Sequence, residues 1–348
     1  MTEPRARVTL GVDTHADVHV GVVLDHLGRV LDTVETATTT AGYRQLLAWA
    51  RRFGELERAG VEGTGAYGVG LARFLTAHGV EVIEVNRPNR QQRRRRGKSD
   101  PTDAEAAARA VLSGEATVVP KTRTGIVESI RVVHLARRSA VKARTQASNQ
   151  IRDLVLTAPE SIRDELRSLK TRQRCAQAAK WRPSNDVDPA ATTRRIMRTL
   201  ARRWLALGEE IAAHDRELTR MTQLAAPSVL AEHGAGTDVT AKLLIAAGDN
   251  PDRLRTEASF AALCGTSPVQ ASSGKTHRHR LNRGGDRQAN NALWTVARHR
   301  MRTDPDTIDY VERRRKEGLS DREILRCIKR ALARRFHRLL VNDLAQLT

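Results

Sequence analysis

The chain has 348 residues, enough for two or three domains, and its 40% hydrophobic content can supply a core for each. Sixty Lys and Arg against forty Asp and Glu leave a formal charge of +20, which favours a polyanionic partner through phosphate contact and counterion release. Aromatics at 3% argue against a surface that stacks many bases on rings, and no apolar run reaches the roughly 18 residues of a membrane span. The N-terminus lacks the apolar core of a signal peptide, so the expectation is a cytoplasmic, nucleoid-associated protein with no membrane partner.

The stretch RVTLGVDTHADVHVGVVLDHLGRVLDTVETAT (7–38) alternates apolar and polar residues in three runs broken by turn signals, including His26 to Gly28, and predicts an antiparallel meander. The period then changes. AGYRQLLAWARRFG predicts a helix, RAGVEG a short strand ending at Glu62, YGVGLARFLTAHG a helix closed by Gly79, and VEVIEV a buried strand. The order βββαβαβ leads into a basic run, Arg93, Arg94, Arg95 and Arg96, and a helix over about 101–113, which together predict an α/β sheet domain over residues 1–122.

Residues 123–224 predict a long helical arm interrupted by TAPES and KWRPSNDVDPA. Its second helix carries Trp204, Leu207, Ile211, His214, Leu218 and Met221 at spacings of 3, 4, 3, 4 and 3, an a/d seam that reads as a coiled-coil arm, with an intramolecular hairpin as the alternative. Residues 225–348 predict a mainly helical, basic domain whose final helix starts at a Ser320/Glu323 capping box. Cys175, Cys264 and Cys327 are too far apart for a CxxC knuckle and odd in number, which fits a reducing compartment.

Four acids stand where such a sheet gathers a site. Asp13 ends the first strand, Glu62 ends the fourth, and Asp100 and Asp103 share a face at the start of a helix. Carboxylates so gathered repel one another without cations and present the hard oxygens that Mg2+ or Mn2+ takes, so phosphodiester cleavage is the chemistry they suggest. The plainer reading of Asp100 and Asp103 is capping, with Asp100 at the N-cap and Pro101 at the first helical position. His15 and Asp17 lie nearby and receive no role. Arg93 to Arg96 and Lys98 are candidate phosphate contacts.

Other motifs compete for the same segments. Gly63, Gly65 and Gly68 spell GxGxxG with Glu84 downstream, as a dinucleotide fold requires, but Glu62 would then crowd the pyrophosphate and such a cofactor leaves the +20 charge unexplained. The Gly97 to Ser99 tripeptide lacks the first Walker glycine, where Gln92 stands. Gly234 and Gly236, before a helix start, are candidates for holding a phosphate on backbone N–H groups. Ser272 and Ser273 lie in a basic loop with Lys275, Arg278, Arg280 and Arg283, where a polarised phosphate would make a hydroxyl an adequate nucleophile. Cys264 with His277 and His279 matches no zinc spacing.

GVDTHADVHVGVVLD, VEGTGAYGVGLARFL, NRPNRQQRRRRGKSDPTDAEAAARAVL and FAALCGTSPVQASSGKTHRHRLNRGGDRQANNALWTVARHRM resemble, in this order, blocks of the insertion-sequence 110 family of transposases, the DEDD recombinases. The resemblance implies a RuvC-like N-terminal domain of the ribonuclease H type, a coiled-coil arm and a C-terminal transposase domain. It implies Asp13, Glu62, Asp100 and Asp103 as ligands of Mg2+ or Mn2+, and Ser272 as the nucleophile of a covalent phosphoserine intermediate, in a site composed from both domains. It further implies DNA as substrate, a structured noncoding guide RNA, and homodimers pairing into a tetramer. Two departures stand out. Ser272 is followed by Ser273 and a single glycine, which leaves Ser273 as an alternative nucleophile, and His233 replaces the proline that usually opens the glycine hairpin. A RuvC-like nuclease acting on branched DNA through the acids alone, and a nonenzymatic DNA-binding protein, are the competing functions.

Overall fold

The computed structural model describes residues 6–85, 99–273 and 279–347. Arg93, Arg94, Arg95, Arg96, Lys98, Lys275, Arg278 and His277 fall outside the described residues. The chain divides into two compact units, Met1–Thr122 and Arg123–Thr348.

In the first unit β1 (Arg7–Thr14), β2 (Val18–Asp25) and β3 (Val30–Ala37) form an antiparallel meander. The chain then passes through α1 (Thr40–Ala50), β4 (Glu55–Glu62), α2 (Val69–Ala77) and β5 (Glu81–Val85) to complete a five-stranded sheet of order β3-β2-β1-β4-β5. β4 lies parallel to β1 and β5 parallel to β4. The change of hydrophobic period after Ala37 thus marks a real change from meander to βαβ crossovers. Asp25 holds the turn between β2 and β3 by accepting from the backbone N–H groups of Leu27 at 2.9 Å and Arg29 at 2.8 Å, while Gly28 takes a left-handed φ of +80°.

Both faces of the sheet are covered over β1, β2, β4 and β5, so these strands alternate between two cores, while the edge strand β3 is largely exposed. Val8, Leu10 and Val12 of β1 join Ala59 and Val61 of β4 beneath Leu46, Leu71 and Leu75 of α1 and α2. On the opposite face, Val20, Val22 and Leu24 of β2, and Ile83 and Val85 of β5, are covered by α3 (Asp100–Leu112) through Ala104, Ala107, Ala108 and Val111. The small residues of α3 let its backbone approach the strands closely, a constraint that fixes where its first turn lies.

In the second unit α4 (Ile126–Thr157) and α7 (Pro189–Ala225) lie along each other, linked through α5 (Glu160–Leu166) and α6 (Thr171–Ala178). Pro159 precedes α5 and Pro189 opens α7, where a missing N–H costs no helical bond. Ile151, Val155, Ile162, Leu166, Met197 and Trp204 form a core at the end of this pair that carries α5 and α6. At the other end Ile130, Leu218 and Met221 enter a larger core with α8 (Pro227–Leu230), α9 (Thr237–Ala247), α10 (Glu257–Leu263), α11 (Arg287–Thr303), α12 (Pro305–Lys316) and α13 (Asp321–Ala345).

The a/d seam lies inside this arrangement. Trp204, Ile211, Leu218 and Met221 are buried, and Leu207 and His214 half-buried, within a single chain. The Arg144 guanidinium stacks 4.0 Å over the Trp204 ring, and Arg137 pairs with Asp215 further along the two helices. The seam therefore packs as an intramolecular hairpin, the alternative left open by a pattern only two heptads long. The capping box of α13 is formed, with Glu323 accepting from the Ser320 N–H at 3.0 Å and hydroxyl at 2.7 Å. No helix among the described residues is long and apolar enough to cross a membrane.

Candidate metal centre and serine loop

Strand alternation places the acids of the first unit. Val12 faces α1 and α2, so Gly11 and Asp13 face α3. A Cβ on Gly11 would stand 2.0 Å from the Ala104 carbonyl oxygen and 2.4 Å from the Ala108 nitrogen, which shows how tightly α3 lies on β1. Gly60 does the same on β4, where a Cβ would come within 2.6 Å of the Ala107 oxygen. Asp13 and Glu62 are the residues two positions beyond these glycines, on the same face. Because β1 and β4 run parallel with Val12 paired to Val61, they end side by side, and Thr14 Oγ1 donates to the Glu62 carbonyl at 2.9 Å. The first turn of α3, bearing Asp100 and Asp103, arrives at this edge of the sheet.

The closest grouping comprises Asp13, His15 and Asp100, whose ligand atoms all lie within 4.8 Å of one another. His15 Nε2 stands 3.2 Å from Asp13 Oδ2 and 3.4 Å from Asp100 Oδ2. Asp13 is only 7% exposed and Asp103 is buried, while the Asp100 and His15 side chains are each 48% exposed. Burial pushes the Asp13 carboxyl above its usual range; His15 opposes this, and the negative charges of Asp103 and Asp100 reinforce it. Asp103 therefore stands close enough to act on Asp13 electrostatically. Glu62 occupies the adjoining strand end, half-buried, outside the closest group.

Two expectations change. The N-cap of α3 is Ser99, with Asp100 the first helical residue, and Ser99 bonds the Thr102 hydroxyl at 2.7 Å. Asp100 is thus not the cap residue, which weakens the purely structural reading of the pair. His15, to which the sequence assigns no role, joins the group; its signal is its position two residues after Asp13, the spacing that returns a side chain to the same face. Asp17 is exposed and takes part through its backbone oxygen, which accepts from the Thr38 N–H at 2.9 Å.

The GxGxxG glycines serve the turn between β4 and α2. Gly63 has φ +66° and its carbonyl accepts from the N–H groups of Ala66 and Gly68, while a Cβ on Gly68 would meet the Glu62 oxygen at 2.8 Å. Backbone geometry accounts for those two glycines without a cofactor.

In the second unit, Gly234 adopts φ +82° and Gly236 is the N-cap of α9. The first turn of α9 already carries an acid, Asp238, which accepts from His134 at 3.1 Å and pairs with Lys242 at 2.6 Å. Between α10 and α11 a loop closes on itself: the Asp286 N–H donates to the Leu263 oxygen at 2.6 Å, and Gly265 and Gly285, both left-handed, pack backbone to backbone at its neck. The loop begins with β6 (Val269–Gln270), paired to β7 (His279–Arg280), and Ser272 and Ser273 follow β6 with both side chains exposed. Arg280 and Arg283 are exposed on the returning limb. Cys264 is instead buried in the core, and burial pushes its thiol up to about 12, which disfavours the thiolate that a zinc ligand requires.

The donor set of the first unit fits a hard divalent cation. Asp13 and Asp100 converge with His15 at one edge, burial and then the nearby acids raise the Asp13 carboxyl, and a positive charge between the carboxylates would relieve that repulsion. A family model described as a DEDD transposase matches residues 10–158, and a second, described as the transposase IS116/IS110/IS902 family, matches residues 229–312. The first span contains all four acids and the second contains both serines. A DEDD transposase domain implies use of a divalent metal. No curated protein matches the chain.

Proposed function

Since the chain belongs to the IS116/IS110/IS902 family of transposases, enzymes that cleave and transfer DNA, we propose that it moves its own insertion sequence with a four-acid metal site and a serine nucleophile. Asp13, Glu62, Asp100 and Asp103 hold Mg2+ or Mn2+, which when bound supplies Lewis-acid polarisation of a phosphate oxygen. The observation that carries this reading is the convergence of Asp13 with Asp100 and His15 at the strand ends, with Asp103 raising the Asp13 carboxyl from close by. The sheet order, with an antiparallel start and parallel continuation, supports a RuvC-like domain of the ribonuclease H type.

Ser272, or its neighbour Ser273, attacks the phosphodiester. The Oγ–P bond forms as one strand P–O bond breaks, and the released sugar oxygen takes up a proton. Rejoining reverses the exchange with a different strand end, so the phosphoserine conserves the bond that hydrolysis would lose. Arg93 to Arg96 and Lys98, together with Lys275, Arg278, Arg280 and Arg283 on the serine loop, hold phosphates, and Gly234 and Gly236 offer backbone N–H groups. A structured noncoding RNA from the element's flank selects donor and target by base pairing, consistent with high charge and few aromatics. Assembly into a homodimer and then a tetramer uses outward faces of the arm, such as exposed Val132 and Leu135, because the heptad seam is occupied internally.

The test is adduct mapping. Protein incubated with Mg2+, flanking transcript and cognate DNA is expected to yield a covalent protein–DNA species whose modified residue, read by mass spectrometry, is Ser272 or Ser273. Ser272→Ala together with Ser273→Ala abolishes adduct and strand exchange. Retained strand exchange in that double variant would overturn the serine mechanism, and retained hydrolysis alone would favour the RuvC-like nuclease.

A further inference from the structure

Among the described residues the aromatics left largely in water are few. Trp49 and Trp204 are buried and Trp181 is half-buried, whereas Trp294 on α11 remains 45% exposed. Its neighbourhood is informative. Lys329 Nζ of α13 donates to Asn290 Oδ1 of α11 at 2.8 Å, and near the other end Asp321 is held below the usual carboxylate range by its bond from Arg315 and, further, by the charge of Arg298. The Lys329–Asn290 bond ties α13 to α11 one helical turn from Trp294.

Asn290, Trp294 and Arg298 form one row along α11, and Lys329, Leu325 and Asp321 form one along α13, the two joined by the Lys329–Asn290 bond. The Arg298 guanidinium carbon lies 6.0 Å from the Trp294 ring centroid. On α13 the row 321 and 325 lies between the buried Ile324 and Ile328 and the exposed Arg322 and Arg326, which are about 100° further round the helix. Arg322 and Arg326 therefore lie on the solvent side of α13. On α11 Asn290 Nδ2 donates to the carbonyls of Cys264 at 2.8 Å and Gly265 at 3.2 Å, the stem of the loop that carries Ser272 and Ser273. Trp294 is one helical turn, about 6 Å along the axis, from that stem.

We propose that Trp294 is a stacking platform for an unpaired nucleotide of the nucleic acid handled at the serine loop, with Arg298, Arg322 and Arg326 taking the neighbouring phosphates. An indole stacks any base and an adjacent guanidinium adds cation–π attraction, whereas a fully paired duplex offers no free base face along its length. The platform explains why an indole is left exposed beside a guanidinium in a chain poor in aromatics, where Tyr67 is the other exposed ring among the described residues. Its assignment to the reacting strand rests on the serine reading; the platform itself does not.

The test uses the full-length protein and fluorescein-labelled 30-mers at fixed salt: a paired duplex, the same duplex with a three-nucleotide gap, and RNA counterparts of each. Trp294→Ala is expected to weaken binding of the gapped probe by about tenfold and leave the paired probe unchanged, while Trp294→Phe retains binding. Loss on gapped DNA alone assigns the platform to DNA, and loss on gapped RNA alone assigns it to RNA. Arg322→Gln with Arg326→Gln weakens all probes and makes the log–log salt slope shallower by about 0.9 for each phosphate no longer neutralised. An unchanged ratio of gapped to paired affinity in Trp294→Ala overturns the proposal, as does a fall in assembly mass by sedimentation without that change, which would make the face a contact between copies. Probe binding is read without strand chemistry, so a missing adduct in the wild type sinks the serine reading alone and an unchanged ratio in Trp294→Ala sinks the platform alone.

Discussion

Gly11→Ala tests the geometry on which the metal centre depends. The added methyl would stand 2.0 Å from the Ala104 oxygen and 2.4 Å from the Ala108 nitrogen, both backbone atoms that no rotamer change can move. Ordinary contact requires about 3.5 Å, so α3 must withdraw from β1 by roughly 1.5 Å. Overpacking of this kind costs about 1–3 kcal/mol, which for a unit of this size lowers Tm by roughly 4–12 °C. The same withdrawal carries Asp100 and Asp103 away from Asp13, and a displacement of about 1 Å at a catalytic constellation costs about a hundredfold in rate. Differential scanning calorimetry and metal-dependent cleavage of cognate DNA measure the two effects. Gly79→Ala is the control: nothing lies within 4 Å of its added Cβ, but its φ of +80° is strained, so it should cost about 1 kcal/mol and leave cleavage intact. A Gly11→Ala protein with unchanged Tm and full cleavage would refute the placement of α3 on β1, and with it the site.

Asp13→Asn removes the buried carboxylate that its acidic neighbours oppose, so the metal-free variant should melt no lower than wild type, and Mg2+ should raise Tm only in the wild type; equal Mg2+ shifts in calorimetry would argue against a metal at Asp13. Asp238 is held below the usual carboxylate range by its bond from His134, against a burial cost, with Lys242 adding to the effect. A lowered folded-state pKa contributes stability above the unfolded pKa of about 3.9 that is lost as pH falls below it, so urea unfolding between pH 4 and pH 2 should fall more steeply in wild type than in Asp238→Asn. Burial raises the thiols of Cys175 to about 11 and Cys264 to about 12, while Cys327 is exposed. A thiol reagent at pH 8 should label Cys327 rapidly in the folded protein and all three cysteines after unfolding; fast labelling of Cys264 in the folded state would contradict its burial.

Much of the first unit is legible in the chain because its signals are local. Apolar alternation in RVTLGVDTHADV fixes which side chains share a face, and the switch to helical spacing after Ala37 announces the crossovers. The positions of Asp13 and Glu62 at strand ends follow from the same alternation. The cap of α3 lies one residue before the expected position because Ser99 and Asp100 are both good N-cap residues, and local chemistry does not choose between them. The spacing of His15 two residues after Asp13 marks a shared face but not a partner; its role emerges only when α3 brings Asp100 within 3.4 Å.

The order of residues is enough to specify the element order of the sheet, the small residues that let α3 lie close, the acids at the strand ends and the charge that calls for nucleic acid. What the a/d seam of α7 packs against is settled only by the folded chain, because a heptad pattern specifies an apolar stripe but not its partner, and here α4 covers it within the chain. Folding likewise joins Asn290, one turn from the exposed Trp294, to Lys329 of α13. Such pairings join residues far apart in the chain, and only the packing of whole elements sets the distance between them.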